Sequence, residues 1–308
     1  MDPLIVLGLI GAAIVALGLW QQKKKACLYE ISWGEQVRRT LTSRSFLLQV
    51  GGFVLFIAFW QVSVKTLSLP WFSRLPGPWE CLEEWLSPDP AYGISIYTSD
   101  YYIHILYSTY RATAAFVLAT LLGVPLGLIM GWNRKFYDYS FPLVELIRPI
   151  PPLAWVPLAI LILPGNEPAV IFVTFLVAFF VTTLNTLLGV ESISEDYFRA
   201  AKCLGASNKH LLFDVVIPGA MPFIFTGLQI SMGAAWFSLV AGEMIAAQYG
   251  LGFLIWDSYS LIQYPVIIIG MVTLGVIGWI SSALVRAVGR KLMTWREREL
   301  SGGAQAGC

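Results

Sequence analysis

Ionisable residues are rare in the long apolar blocks of this sequence, and those that occur there have types suited to binding an anion or pairing with one another. A charge at membrane depth is costly unless it is paired, hydrated or able to snorkel. Arg111 either snorkels outward or helps to attract an anion, and Arg148 can pair with Glu145 three residues earlier. Glu243 lies seven residues after Trp236 on nearly the same helical stripe. Glu243 either lines a solute pathway or pairs with a neighbour. The pathway candidates, each with a structural alternative, are Arg111, Arg148, Trp236 and Glu243.

A proline-rich stretch, RPIPPLAWVP (148–157), lies inside another apolar block. Proline cannot donate a backbone hydrogen bond and clashes with the preceding helical turn, so we expect a kink or an unwound segment. At membrane depth such backbone persists where it is buried in protein or lines an aqueous cavity. Pro151, Pro152 and Trp155 are therefore further pathway candidates. The alternative is a kinked packing helix with Trp155 in the core.

The sequence lacks the usual signatures of enzymatic chemistry. It has no G-x-x-x-x-G-K-[ST] phosphate loop, nucleophile elbow, zinc-protease helix pair or dinucleotide-binding turn. His104 and His210 are far apart in the chain, which gives no metal-ligand spacing. The net charge of +1 and the scattered basic residues do not indicate a nucleic-acid partner. We therefore expect no catalytic residue, bound cofactor or metal in this chain.

The elements that carry these residues are predicted to be membrane-spanning helices. Hydrophobic residues make up 57% of the chain and charged residues 13%, whereas soluble domains are about 25% charged. A helix needs about 20 mainly apolar residues to cross a bilayer, and seven segments qualify. The sequence thus predicts an all-α polytopic membrane protein. The segments are residues 3–20, 46–64, 103–131, 141–163, 168–190, 217–247 and 265–288.

The basic residues indicate how these segments are oriented. Sixteen of the twenty Lys and Arg lie in or beside four connecting segments on one side, and only Lys65 and Arg74 lie on the other. By the positive-inside rule, the C-terminus is cytoplasmic and the N-terminus external. The first segment is predicted to be an anchor rather than a cleaved signal peptide, because the Lys run at 23–25 follows it. The cytoplasmic segments are 23–45, 132–140, 191–216 and 289–308.

One cytoplasmic segment, residues 192–218, is predicted to be an ordered helix, turn and helix. A capping box at Ser192 would begin the first helix, and Gly205 would end it in a left-handed turn. Ser207 would cap the second helix, and Pro218 would mark the start of the next span. A connection built in this way usually binds a partner. The alternative is an amphipathic hairpin lying in the lipid headgroups.

The spacing within this segment resembles the EAA loop of type I ABC importer permeases. Arg199-Ala200-Ala201, then Gly205, then Val215 to Pro218 reproduce every interval of that pattern, with Arg199 where the family has Glu. The resemblance implies that the loop docks on a separate ATPase subunit. The implied coupling residues are Arg199, Ala200, Ala201, Gly205, His210 and Pro218.

Three further stretches are similar to one branch of this family. YSTYRATAAFVLATLLGVPLGLIMG, LIRPIPPLAWVPLAI and GLGFLIWDSYSLIQYPVIIIGMV resemble permeases of nitrate, bicarbonate, taurine and alkanesulfonate importers. The resemblance implies about six core transmembrane helices, with one extra N-terminal span outside it. The implied domains are an anchor and basic linker at 1–45, a permease domain at 46–298 and a disordered tail at 299–308.

The same resemblance implies import of a small anion across the bacterial inner membrane by alternating access. Expected partners are ATPase subunits that bind ATP and Mg²⁺, a periplasmic substrate-binding protein, a second copy of this chain and lipid. The acidic loop at 65–100 is a candidate docking surface for the binding protein, or a solvated loop. The alternative functions are a secondary transporter driven by an ion gradient, which would show related halves and more buried acids, and a non-transporting scaffold.

Overall fold

The computed structural model describes residues 44–66 and 75–293, and all regular elements in these ranges are helical. The chain divides into two compact units between Glu80 and Cys81. In the first unit, α1 (Arg44–Gln61) continues into a π-helical turn, Val62–Thr66. Most apolar side chains of α1 with a described environment are exposed, as expected of a helix in contact with lipid. The predicted span at 3–20 and the tail at 299–308 lie outside the described residues.

Within residues 81–293, the second unit contains four helices long and apolar enough to cross a membrane. They coincide with four of the predicted spans and extend them by one to nine residues at their ends, except that the third helix ends one residue before the predicted end at 247. The four are α3 (Ser99–Trp132), α6 (Asn166–Glu191), α8 (Asn208–Ala246) and α10 (Tyr264–Leu292). The shorter helices are α2 (Pro78–Leu86), α4 (Arg134–Ile147), α5 (Pro152–Ile162), α7 (Glu195–Cys203) and α9 (Leu251–Ser260).

The predicted span at 141–163 is a bent pair of helices, and the predicted kink within it is confirmed. Helices α4 and α5 meet at an angle of 100° at the break between them. Pro151 stands at the N-cap of α5, and Pro152 begins that helix, where a missing N–H is tolerated. Counting this bent pair as one span gives up to five spans, and a shorter apolar helix occupies Val50–Lys65.

Helices α3, α6 and α8 pack closely because small residues line their contacts. Ala119, Ala178 and Ala235, one from each helix, are fully buried together. A methyl group added at Gly127 would lie 2.5 Å from the Thr183 carbonyl oxygen, so α3 and α6 touch nearly backbone to backbone. Small residues provide such close packing in membranes, where water supplies no hydrophobic drive. This three-helix core holds the ends of the helices in fixed positions.

Helix α8 is continuous from the predicted cytoplasmic segment into the bundle, and Pro218 lies at the start of its α-helical part, as the sequence predicts. A short turn, Asn208–His210, passes through a π-helical stretch, Leu211–Val216, into Ile217–Ala246. The Ile217 N–H donates to the Leu212 carbonyl, five residues back. Pro218 thus falls in the first α-helical turn after the π stretch, where its missing donor is tolerated.

Candidate functional site

The first candidate site is the coupling loop, residues 192–218. Its first helix, α7, is capped by Ser194, whose hydroxyl oxygen accepts from the Asp196 N–H at 3.3 Å. The predicted cap at Ser192 is wrong, because α6 runs to Glu191 and Ser192 is its C-cap residue. The Ser192 hydroxyl instead donates to the Gly189 carbonyl at 2.8 Å.

The turn between the two helices of the coupling loop has the predicted left-handed glycine. Gly205 has φ +79°, which L-residues with a side chain rarely adopt. The Gly205 N–H donates to Lys202 and the Ala206 N–H to Ala201, both at 3.0 Å, so the turn is a Schellman motif. Leu204, immediately before the glycine, is 89% exposed. The turn therefore presents an apolar side chain on a rigid backbone.

The coupling loop is anchored on its inner side. Leu211 and Val216 are 2% and 0% exposed, and Val216 packs in a cluster with Val190 and Ala220. Ile193 and, within α7, Phe198 are partly buried and pack against the same cluster, whereas most other residues of α7 are exposed. One face of the loop is thus fixed to the helical bundle, and the other is open to a partner.

Two side chains of the coupling loop, Arg199 and His210, have acidic partners one turn away on their own helices. Arg199 binds Glu195 one turn earlier at 2.8 Å, and His210 lies 3.1 Å from Asp214. Exposed pairs of this kind contribute about 0–1 kcal/mol. The charge that Arg199 introduces into the family pattern is therefore already compensated within α7.

The second candidate site is a buried polar cluster, the Arg111 network, formed by Ser108, Arg111, Glu167, Glu243 and the backbone of residues 249–252. The Arg111 side chain is 0% exposed. Its Nη1 donates to Glu243 at 2.8 Å and to the Tyr249 carbonyl at 2.6 Å. Its Nε donates to Glu167 at 2.7 Å, and Nη2 donates to the other oxygen of the same carboxylate. The guanidinium thus joins three helices and a loop.

The network also holds the connection between α8 and α9. Glu243 accepts hydrogen bonds from the Ser108 hydroxyl and from the Gly252 N–H, both at 2.8 Å. The Leu251 N–H donates to Ser108 at 2.7 Å, and the Gly250 N–H donates to His104 Nδ1 at 3.0 Å. Three successive backbone N–H groups at the start of α9 therefore have buried side chains as acceptors. Without them these N–H groups would have no hydrogen-bond partner within the helix.

The two candidate sites lie at opposite ends of α6 and α8. Glu167 is in the first turn of α6 and Glu243 in the last turn of α8, whereas the coupling loop joins the other two ends. The structure brings Arg111 and Glu243 together as a buried ion pair, which is the structural alternative for Glu243. A pathway role for these two residues stays a prediction.

The remaining pathway candidates occupy other positions. Trp236 is 4% exposed and donates from Nε1 to the Ser281 hydroxyl at 2.8 Å, which ties α8 to α10. Trp155 is partly buried and packs against the apolar cluster that contains Trp236. Arg148 forms the ion pair with Glu145 that the sequence spacing permits, at 3.4 Å and half exposed. Pro151 and Pro152 form the bend between α4 and α5.

Sequence reasoning named Arg111 and Glu243 and missed Ser108, Glu167 and the backbone of residues 249–252. His104, Ser108 and Arg111 follow one another at intervals of four and three residues, which places them on one stripe of α3. That spacing was a readable signal of a polar face. No local pattern indicated Glu167. At Gly250 an added Cβ would lie 2.4 Å from the Glu243 carboxylate, so glycine is required there.

Comparison with known proteins gives a consistent set of relatives. Residues 123–294 match the family described as binding-protein-dependent transport system inner membrane component. The chain is 35% identical over 208 residues to the nitrate import permease protein NrtB of Synechocystis sp., covering 67% of this chain and 76% of that protein. It is 35% identical over 254 residues to the taurine transport system permease protein TauC of Escherichia coli, covering 82% and 91%.

A third relative and a solved structure extend the comparison. The bicarbonate transport system permease protein CmpB of Synechococcus elongatus is 33% identical over 237 residues, covering 75% of this chain and 84% of that protein. An inward-facing structure of the MetNI methionine ABC transporter matches 62% of this chain and 93% of its own, with a TM-score of 0.53 and 19% identity. At that identity the likeness concerns the fold alone.

Proposed function

We propose that this chain, which belongs to the family of binding-protein-dependent transport system inner membrane components, is a permease subunit. The proposed transporter is an ATP-driven importer of a small anion. The observation that carries the proposal is the coupling loop, a rigid and outwardly apolar turn fixed to the bundle on one side. Binding surfaces are often formed by loops that a rigid scaffold holds in place. The loop adjoins the α-helices that would have to move during alternating access.

The proposed substrate is a small oxyanion. The names of three relatives specify nitrate, taurine and bicarbonate, and each of these solutes carries an oxyanion group at neutral pH. A neutral sugar or a metal cation does not share that chemistry. Uptake of labelled nitrate, bicarbonate and taurine by the reconstituted transporter tests whether the substrate is a small oxyanion. Transport of a sugar or a cation in preference to all three would contradict this substrate class.

The proposed assembly places ATP hydrolysis on other chains. The sequence contains no phosphate-binding loop, so ATP and Mg²⁺ would bind to ATPase subunits docked at the coupling loop. A substrate-binding protein would deliver the anion at the opposite, periplasmic end, and two copies of this chain would surround one path. The bias of basic residues supports a cytoplasmic coupling loop and C-terminus in the bacterial inner membrane.

The substitution Gly205→Pro tests the coupling role. Proline fixes φ near about −65°, which the left-handed turn cannot accommodate, so the Schellman motif is lost. We expect normal membrane insertion but no transport and no stimulation of the ATPase. Gly93→Pro is the matched control, since Gly93 has φ +76° and lies outside the coupling loop. The control should retain co-purification with the ATPase subunits, and unchanged ATPase stimulation in Gly205→Pro would exclude docking at this turn.

A further inference from the structure

The two carboxylates that bind Arg111 are held in different ways. Glu243 is 0% exposed and is fixed by Ser108 and by the Gly252 N–H as well as by Arg111. The side chain of Glu167 is 47% exposed. Within residues 75–293, its carboxylate makes hydrogen bonds to Arg111 and to no second side chain. Glu167 can therefore leave Arg111 without disturbing the rest of the Arg111 network.

Charge balance gives the same distinction. Glu243 alone neutralises Arg111, so Glu167 brings the cluster to a net charge of −1. Glu167 is thus not required as a countercharge, and its hydrogen bonds satisfy only the outer edge of the guanidinium. A monovalent anion that replaced Glu167 at this edge would leave the charge in contact with the guanidinium unchanged. The displaced carboxylate, which is already half exposed, would then face solvent.

The geometry of the outer edge suits an anion with two oxygens on one atom. Nε and Nη2 of Arg111 present two parallel N–H groups, and both oxygens of the Glu167 carboxylate accept from them. The same fork matches any group with two oxygens on one atom, such as nitrate, bicarbonate or a sulfonate. Arg111 Cζ lies over the Tyr107 ring, 5.4 Å from its centroid. The Arg111 side chain is 0% exposed and that of Glu167 is 47% exposed, so an anion would reach the guanidinium along the edge that Glu167 occupies.

The geometry points to the Nε–Nη2 edge of Arg111 as a subsite for a small oxyanion, with Glu167 as an internal carboxylate that occupies it and is displaced when the anion binds. The inference deepens the proposed function and rests on it for the class of anion. Arg111 is then a binding residue held in position by Glu243, and Glu167 sets the affinity of the subsite by competing for it.

Nitrate binding to the purified permease–ATPase complex tests the subsite. The midpoint of thermal unfolding is measured in increasing sodium nitrate, with sodium chloride added to constant ionic strength. For Glu167→Ala we expect a saturable rise whose half-maximal nitrate concentration is roughly tenfold lower than for the unsubstituted protein, because the competitor is gone. Glu145→Ala is the matched control, since it releases the exposed Arg148 and should respond like the unsubstituted protein.

Two further variants separate shape recognition from general salt effects. Glu167→Gln keeps one acceptor oxygen for the fork, so its nitrate response should lie between those of Glu167→Ala and the unsubstituted protein. Adding Arg111→Lys to Glu167→Ala should abolish the response, because lysine cannot donate two parallel hydrogen bonds. If that double variant does not fold, the half-maximal nitrate concentrations of Glu167→Ala, Glu167→Gln and the unsubstituted protein, expected to increase in that order, decide whether the subsite exists.

Specific outcomes would overturn the subsite. One is an equal nitrate response in the unsubstituted protein, Glu167→Ala and Glu145→Ala. Another is a Glu167→Ala variant in which nitrate does not shift the unfolding midpoint and the substrate-binding protein no longer stimulates ATP hydrolysis. That result would assign Glu167 to docking of the substrate-binding protein. Failure of the proposed function is distinguishable, because a transporter of a neutral solute could still show the nitrate response in Glu167→Ala.

Discussion

Replacing Glu243 with glutamine removes the buried countercharge of Arg111 while preserving the size of the side chain. Removing one partner of a buried ion pair costs about 3–5 kcal/mol, because the other charge stays buried. Glu167 still pairs with Arg111, and the amide oxygen can still accept from the Gly252 N–H. We therefore expect the low end of that range, about 3 kcal/mol or roughly a hundredfold in the unfolding equilibrium.

The matched control is Glu145→Gln, which breaks the half-exposed pair with Arg148. That pair should contribute about 0–1 kcal/mol. The free energy of unfolding is measured by a reversible detergent titration followed by tryptophan fluorescence. Hydrogen exchange at Leu251 and Gly252 gives a local readout, since both N–H groups are bonded within the Arg111 network. A loss in Glu243→Gln no larger than in the control, with unchanged exchange, would refute the reasoning.

Two other predictions concern packing and pH. Gly127→Ala places a Cβ 2.5 Å from the Thr183 carbonyl oxygen and should cost about 1–3 kcal/mol in the same titration, whereas Gly233→Ala, with nothing within 4 Å, should not destabilise. Hydrogen bonds from Lys65 and then from a backbone N–H lower the pKa of Glu80. Ionised Glu80 therefore stabilises the fold above the unfolded carboxyl pKa, and this is lost as pH falls through the folded pKa. Lys65→Ala should raise the pKa of Glu80 and reduce the loss of stability in acid, which is measured as the free energy of unfolding between acidic and neutral pH. Both side chains are about half exposed, so solvent screens the pair and the effect is below about 1 kcal/mol.

Local patterns in the sequence predicted the features that depend on local physics. Four apolar runs became long helices, and Gly205 adopts the left-handed turn that its position after a helix indicates. Pro218 begins the α-helical part of α8 as its residue type indicates, whereas no local pattern predicted that the helix continues upstream through the π-helical stretch. The partners of Arg111 were out of reach, since Glu167 and Glu243 lie 56 and 132 residues away in the chain. Only the packing of α3, α6 and α8 brings these carboxylates to one guanidinium.

Helix α8 has a mechanical consequence that follows from its length. Its 39 residues span about 58 Å at 1.5 Å per residue, with the coupling loop at one end and Glu243 at the other. Force applied beside the turn would act on one end of this helix, where Leu211 and Val216 of the π-helical stretch are buried against the bundle. A movement of the coupling loop would therefore reach Glu243 at the far end of the bundle through one continuous helix.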